Sequence, residues 1–118
     1  MSDRSFRITV RGAFEGLTAE QRAALLADAR DHDVLFASFT PEGHLSYDIA
    51  ARADFTFRFL ESGGAEEEIV PATARAEAAA RAWLAERGYG FKNLRSVAED
   101  LSKAALSKRQ RKARAAGQ

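Results

Sequence analysis

The chain contains no cysteine, and this absence excludes several kinds of chemistry at once. Disulfide bonds, thiolate metal sites and cysteine nucleophiles cannot occur in it. Its two histidines, His32 and His44, have no third ligand at a suitable spacing, so they do not predict a metal site. The sequence also has no glycine-rich phosphate loop, no G-x-S-x-G elbow and no H-E-x-x-H pair. We therefore expect neither a metal nor a cofactor, and no motif specifies a reaction.

Long hydrophobic runs are missing as well. No apolar stretch approaches the ~18 residues of a membrane-spanning helix, and the N-terminus lacks the apolar region of a secretory leader. We accordingly expect a cytoplasmic protein that does not enter a membrane. A hydrophobic fraction of 46% and eight phenylalanines among 118 residues instead predict one folded domain with a single core.

Charge is distributed unevenly along the chain. All 17 acidic residues lie at or before Asp100, whereas six of the 18 basic residues follow it. The first 100 residues therefore hold 12 basic side chains and carry −5, and the last 18 residues carry +6. We interpret residues 1–102 as the folded domain and residues 103–118 as a flexible basic tail.

The tail contains a dense cluster of cationic side chains: Lys108, Arg109, Arg111, Lys112 and Arg114. Such a cluster binds phosphate backbones without sequence preference. It has no interleaved aromatic residue on which a base could stack, so nucleic acid is not the favoured partner. The alternatives are a solubilising tail and a tail that folds back onto the acidic domain.

Hydrophobic periodicity predicts two helices. Thr18-Ala19-Glu20-Gln21 fits a capping box, and the first helix extends to about Asp31. Pro71 fits the first turn of the second helix, which ends at Arg87 with Gly88 as its left-handed cap.

Five stretches have the pattern of strands. Alternating apolar sets indicate three of them: Phe6/Ile8/Val10, Leu45/Tyr47/Ile49 and Phe55/Phe57/Phe59. The apolar run Val34–Phe39 predicts a central strand before a turn at Thr40-Pro41-Glu42-Gly43, and Tyr89–Val97 predicts the last strand. The order is β-α-β-β-β-α-β. It predicts an α+β fold, a ferredoxin-like sandwich with a five-stranded, mostly antiparallel sheet and two helices on one face.

If the alternating apolar sets face the helices, the pleat assigns the remaining side chains to the opposite face of the sheet. Arg7, Arg11 and Arg58 then share that face and can hold a carboxylate or a phosphate through paired hydrogen bonds. His44 and Asp48 lie on the same face as an acid–base pair or as counter-charges, with Tyr47 nearby. Three interpretations stay open: a face buried in a homodimer, a solvated face, and a ligand site on a monomer.

Four segments together resemble a small uncharacterised actinobacterial protein family: Phe6–Phe14, Leu17–Arg22, Phe39–Gly43 and Arg87–Phe91. The resemblance covers almost the whole chain. It implies a cytoplasmic protein of a high-GC soil bacterium, encoded near genes of secondary metabolism. It implies no reaction, and no catalytic residue is carried over.

In architecture alone, the chain is similar to dimeric α+β barrel proteins, which include cofactor-free monooxygenases and cyclases of antibiotic pathways. This likeness concerns the fold and does not determine function. The predicted chain has three strands between its helices where the simple ferredoxin repeat has two.

The sequence thus favours a homodimeric binding or accessory protein that holds a small anionic or aromatic ligand at Arg7, Arg11 and Arg58. The first alternative is a cofactor-independent enzyme of secondary metabolism with His44 or Asp48 as the general acid or base. The second is a nucleic-acid-associated protein that acts through the basic tail.

Overall fold

The computed structural model describes residues 4–101, which form a four-stranded antiparallel sheet and two α-helices. The principal elements, in chain order, are β1 (Arg4–Glu15), α1 (Ala19–Ala27), β2 (His44–Tyr47), β3 (Asp54–Gly63), α2 (Ile69–Glu86) and β4 (Gly90–Asp100). The strands lie in the order β2-β3-β1-β4, so β1 and β3 form the centre of the sheet. Short 3₁₀ helices occupy Ala29–His32, Val34–Phe36 and Glu66–Glu68.

The core lies between one face of the sheet and the two helices. The structure buries all nine apolar residues of the three alternating strand sets, as predicted. The second helix contributes three alanines spaced by four residues, Ala72, Ala76 and Ala80, followed by Leu84, all at most 1% exposed. Because alanine side chains are small, α2 can lie close to the sheet. The first helix contributes one buried residue, Leu25.

The start of α1 and the end of α2 follow the sequence signals, whereas α1 ends at Ala27 rather than at the predicted Asp31 and is followed by the 3₁₀ helix Ala29–His32. The hydroxyl of Thr18 accepts a hydrogen bond from the Gln21 N–H at 3.1 Å, and the Gln21 side chain accepts one from the Thr18 N–H at 2.9 Å. This capping box satisfies two backbone donors at the start of α1. Gly88 has a φ of 70° after the end of α2, in agreement with its predicted role as the cap.

The predicted strand at Val34–Phe39 is wrong. A carboxylate oxygen of Asp33 accepts a hydrogen bond from the Leu35 N–H at 2.9 Å and starts a 3₁₀ turn instead. Only Thr40 pairs with the sheet, as an isolated bridge to Phe59. Over residues 4–101 the sheet therefore has four strands rather than five, and the elements follow the order β-α-β-β-α-β rather than the predicted one.

The face of the sheet that points away from the helices is called the open face below. Arg7 and Arg11 are exposed on it, and Arg58 is half-buried. The Val34–Phe36 turn, called the apolar turn below, lies beyond the edge strand β2 with Val34, Leu35 and Phe36 exposed by 59%, 81% and 72%. None of the helices that the structure describes is long and apolar enough to cross a membrane.

Candidate functional site

An open cavity of about 490 Å³ lies on the open face and is bordered by β1, β3, β4 and the segment that follows β2. Four arginines line it: Arg11, Arg52, Arg58 and Arg95. Two carboxylates, Asp48 and Asp54, also line it. The cavity is therefore cationic on balance, and we call these four arginines the arginine cluster.

Strand register brings three of the four arginines together. Arg11 on β1 lies directly opposite Arg95 on β4, and Thr56 is its partner on β3. Arg58 is two residues from Thr56 on β3, so its side chain is on the same face and diagonal to Arg11. Like charges at neighbouring positions of a sheet repel one another. Such an arrangement gains stability when an anion binds between the charges.

Arg58 is the least exposed member of the cluster. Its guanidinium donates a hydrogen bond to the hydroxyl of Ser46 at 2.7 Å, and Ser46 is only 3% exposed. Burial lowers the pKa of Arg58, and the nearby charge of Arg11 lowers it further. A partly desolvated cation beside a second cation favours an anionic partner, because the partner restores the electrostatic stabilisation that water supplied.

The two aspartates of the cavity do not neutralise the cluster. Within residues 4–101, no ion pair of 4.0 Å or less joins any of the four arginines to a carboxylate. The side chains of Asp48 and Asp54 are exposed and have no hydrogen-bond partner in the same part of the chain. The cavity thus has unpaired charges of both signs, with the cationic groups in excess.

Tyr47 contributes to the cavity wall, but its hydroxyl points elsewhere. The residue is 6% exposed, and the hydroxyl donates a hydrogen bond to the carbonyl of Leu25 at 2.6 Å. Burial, followed by the charge of Asp28, raises the pKa of Tyr47 to about 12. Its phenol therefore connects β2 to α1 and is neutral at ordinary pH.

Two of the predicted site residues lie outside the cavity. The Arg7 guanidinium is 5.2 Å from the centre of the Phe39 ring, in a cation–π contact further along β1. His44 lies opposite Arg58 on the edge strand, and its Nδ1 is buried without a hydrogen-bond partner within residues 4–101. Its ring is 6.4 Å from that of His32, whose Nδ1 is 2.8 Å from the carbonyl oxygen of Leu45.

Four of the six predicted residues, namely Arg11, Tyr47, Asp48 and Arg58, do line the same cavity. Sequence reasoning missed Arg52, Asp54 and Arg95. Arg52 lies between β2 and β3, where alternation gives no signal, and Asp54 is the first residue of β3, just before the predicted set Phe55/Phe57/Phe59. Arg95 is on a predicted strand, but an irregularity at Asn93, with a φ of 58°, shifts the alternation of β4. The predicted nucleic-acid-binding residues Lys108, Arg109, Arg111, Lys112 and Arg114 lie outside the described residues.

Within residues 4–101, no group of three His, Asp or Glu side chains is placed to hold a metal ion. The cavity instead has the donor groups that recognise carboxylates and phosphates.

Residues 1–112 match the model of a protein family of unknown function, DUF6204. The chain belongs to the DUF6204 family. Neither the curated proteins nor the solved structures contain a match to it. The DUF6204 match spans every residue of the cavity but assigns no role to any of them.

Proposed function

We propose that this DUF6204 protein binds a small anionic ligand on the open face of its sheet, as a non-catalytic binding or accessory protein. One observation carries the proposal: Arg11, Arg58 and Arg95 line a single cavity, and none has a carboxylate partner in residues 4–101. Guanidinium groups match the planar geometry of carboxylates and the oxygen atoms of phosphate, so the anion would be one of these two.

Binding of inorganic phosphate and of acetate tests the proposal. The protein is titrated with each anion at low ionic strength. Calorimetry should show saturable binding, and the NMR signals of the arginine Nε–H groups in the cluster should shift to a plateau. Arg58→Gln should weaken binding at least tenfold, because a hydrogen bond to a charged group contributes about 1.5–3 kcal/mol. Arg22→Gln is the matched control, since Arg22 is exposed on α1 and does not line the cavity.

The proposal fails if neither anion binds, or if the two substitutions have equal effects. Equal effects would mean that the anions interact with the general positive charge of the surface and not with the cavity. Added sodium chloride provides a second check, because specific binding at a half-buried guanidinium resists salt more than binding to an exposed charge does.

Homodimerisation through the open face is the second part of the proposal. The exposed apolar turn borders the cavity, and Val97 on β4 is 63% exposed on the same face. The three neighbouring side chains of the apolar turn form a contiguous exposed apolar patch, which is typical of surfaces that bind another molecule, and Val97 adds a separate apolar group at the opposite edge of the sheet. A second copy placed there would enclose the cavity between the two sheets.

The enzymatic alternative is a cofactor-independent enzyme of secondary metabolism, and one observation favours it. Asp48 lines the cavity with an unpaired carboxylate, which is the group that a general base requires. His44, the other predicted acid or base, does not line the cavity. In this reading Asp48 acts alone on a substrate whose anionic group is held by Arg58, so Asp48→Asn would abolish turnover without abolishing binding.

We also propose that the fold is a ferredoxin-like sandwich. The order β-α-β-β-α-β and the sheet order β2-β3-β1-β4 support a ferredoxin-like sandwich. An actinobacterial source and a cytoplasmic location complete the proposal, and the abundance of alanine and the excess of arginine over lysine support the former.

A further inference from the structure

A second cavity, of about 200 Å³, lies beside the cationic one, between the end of α1 and the segment that follows β2. Its chemistry is different. Most of its wall is apolar and is formed by Leu26, Ala29, Val34, Ile49 and Ala50. We call it the apolar cavity. Among residues 4–101, no arginine or lysine lines it.

The two cavities adjoin each other. Val34, Tyr47 and Asp48 line both, so the two cavities share part of their wall. Leu26 and Val34 are 42% and 59% exposed, although each is large and apolar. Covering such side chains with another apolar group is favourable by about 25 cal/mol for each Å² removed from water. A molecule that extends from one cavity into the other would therefore gain binding free energy both from the arginine cluster and from covering the apolar side chains.

We propose that the ligand is an amphiphilic monoanion, with an acidic head at the arginine cluster and an alkyl chain or ring in the apolar cavity. This inference rests on the proposed anion-binding function and adds the chemical class of the ligand. Asp33 and Asp48, both acidic, also line the apolar cavity. A second anionic group at that end would be repelled, so the far end of the ligand is uncharged or carries a hydrogen-bond donor.

A series of straight-chain acids tests the inference: butanoate, hexanoate and octanoate, all kept below their aggregation concentrations. Each methylene group that becomes buried contributes about 0.8 kcal/mol, which corresponds to about fourfold in affinity at 25 °C. Allowing for incomplete burial in an open cavity, octanoate should bind at least tenfold more tightly than butanoate. Calorimetry gives the affinities, and the methyl NMR signals of Leu26, which lines only the apolar cavity, should shift with octanoate and not with butanoate.

Substitutions separate the apolar cavity from exposed apolar surface elsewhere on the molecule. Leu26→Ser should weaken octanoate at least fivefold and leave butanoate unchanged, because only the longer chain reaches Leu26. Val70→Ser is the matched control, since Val70 is 71% exposed on α2 in the helical layer and lines neither cavity. Both side chains are solvent-exposed, so both variants should keep the wild-type circular dichroism spectrum.

The outcomes distinguish this inference from the function on which it rests. If no acid binds the wild-type protein, the proposed anion site itself fails. If butanoate and octanoate bind equally and both depend on Arg58, the anion site stands and the amphiphilic ligand is overturned. The inference is also overturned if Leu26→Ser leaves the gain from chain length intact, or if Val70→Ser removes it equally, because the chain would then lie outside the apolar cavity.

Discussion

Arg11 on β1 and Arg95 on β4 are direct cross-strand partners, so two guanidinium groups occupy one paired position of the sheet. Like charges in this arrangement destabilise a sheet by roughly 0.2–1 kcal/mol. An anion bound between the two guanidinium groups, as proposed above, would offset this cost.

Arg95→Glu should therefore stabilise the ligand-free protein. It replaces a repulsive pair with an attractive one, and we expect the free energy of unfolding to rise by about 0.5 kcal/mol at low salt. The same variant should lose phosphate binding. Urea unfolding with and without phosphate measures both effects, and Arg95→Gln should give an intermediate stability. A destabilised Arg95→Glu variant would contradict the repulsion between Arg11 and Arg95.

The hydrogen bond from Tyr47 to the Leu25 carbonyl predicts a second effect. Tyr47→Phe leaves that carbonyl without its donor, so we expect a loss of about 1–2 kcal/mol in unfolding free energy at pH 7. The measurement is urea unfolding followed by circular dichroism. An unchanged stability would mean that water replaces the phenol without cost.

The same tyrosine predicts a dependence on pH. Its pKa in the folded protein is about 12, against 10.0 for an unperturbed phenol, so folding favours the protonated form. The stabilisation is complete below pH 10 and is lost as the pH rises through 12, with an upper limit of about 2.7 kcal/mol. The stability difference between wild type and Tyr47→Phe should hence shrink over this interval. A difference that stays constant between pH 9 and 12 would contradict the raised pKa.

The residues that were predicted well are those whose local pattern and tertiary environment agree. Phe6 and Phe57 follow strict alternation, and burying one face of each strand leaves little freedom in their placement. Thr18 and Gln21 form a cap through contacts that span only three residues, which a sequence pattern can specify completely.

The failures have physical causes as well. Val34-Leu35-Phe36 is as apolar as a buried strand, but the preceding Asp33 carboxylate captures the Leu35 N–H and turns the chain. The apolar composition of this segment therefore did not determine whether its side chains would be buried in the protein. Arg95 was missed because the irregularity at Asn93 shifts the alternation of β4, and only the observed register with β1 restores it.

Gly43 and Gly16 offer a comparison of two glycines with similar backbone conformations and different surroundings. Their φ angles are 89° and 65°, so alanine costs roughly 1–2 kcal/mol at either position for conformational reasons. At Gly43 an added Cβ would also collide with the Phe59 ring, whereas at Gly16 it would meet open space. We expect Gly43→Ala to lose at least about 2 kcal/mol, because overpacking adds roughly 1–3 kcal/mol to the conformational cost. Thermal unfolding of both variants tests this, and equal losses would show that the turn opens without strain.

Dimerisation through the open face predicts that the apolar turn is essential to assembly and not to folding. The chain mass is 12.9 kDa, so light scattering of the wild-type protein should give about 26 kDa. Leu35→Ser and Phe36→Ser together should reduce this to the mass of one chain, because the two side chains are 81% and 72% exposed in a single copy and gain burial only against the second. The unfolding transition of the resulting monomer should remain cooperative.

Val70→Ser is the matched control for the dimer. Val70 is 71% exposed, like the residues of the apolar turn, but it lies on α2, which packs against the opposite face of the sheet. The Val70→Ser variant should keep a mass of about twice that of one chain in light scattering. A wild-type monomer would overturn dimerisation outright. A dimer that persists without Leu35 and Phe36 but dissociates on Val70→Ser would move the interface to the helical layer and leave the arginine cluster facing solvent.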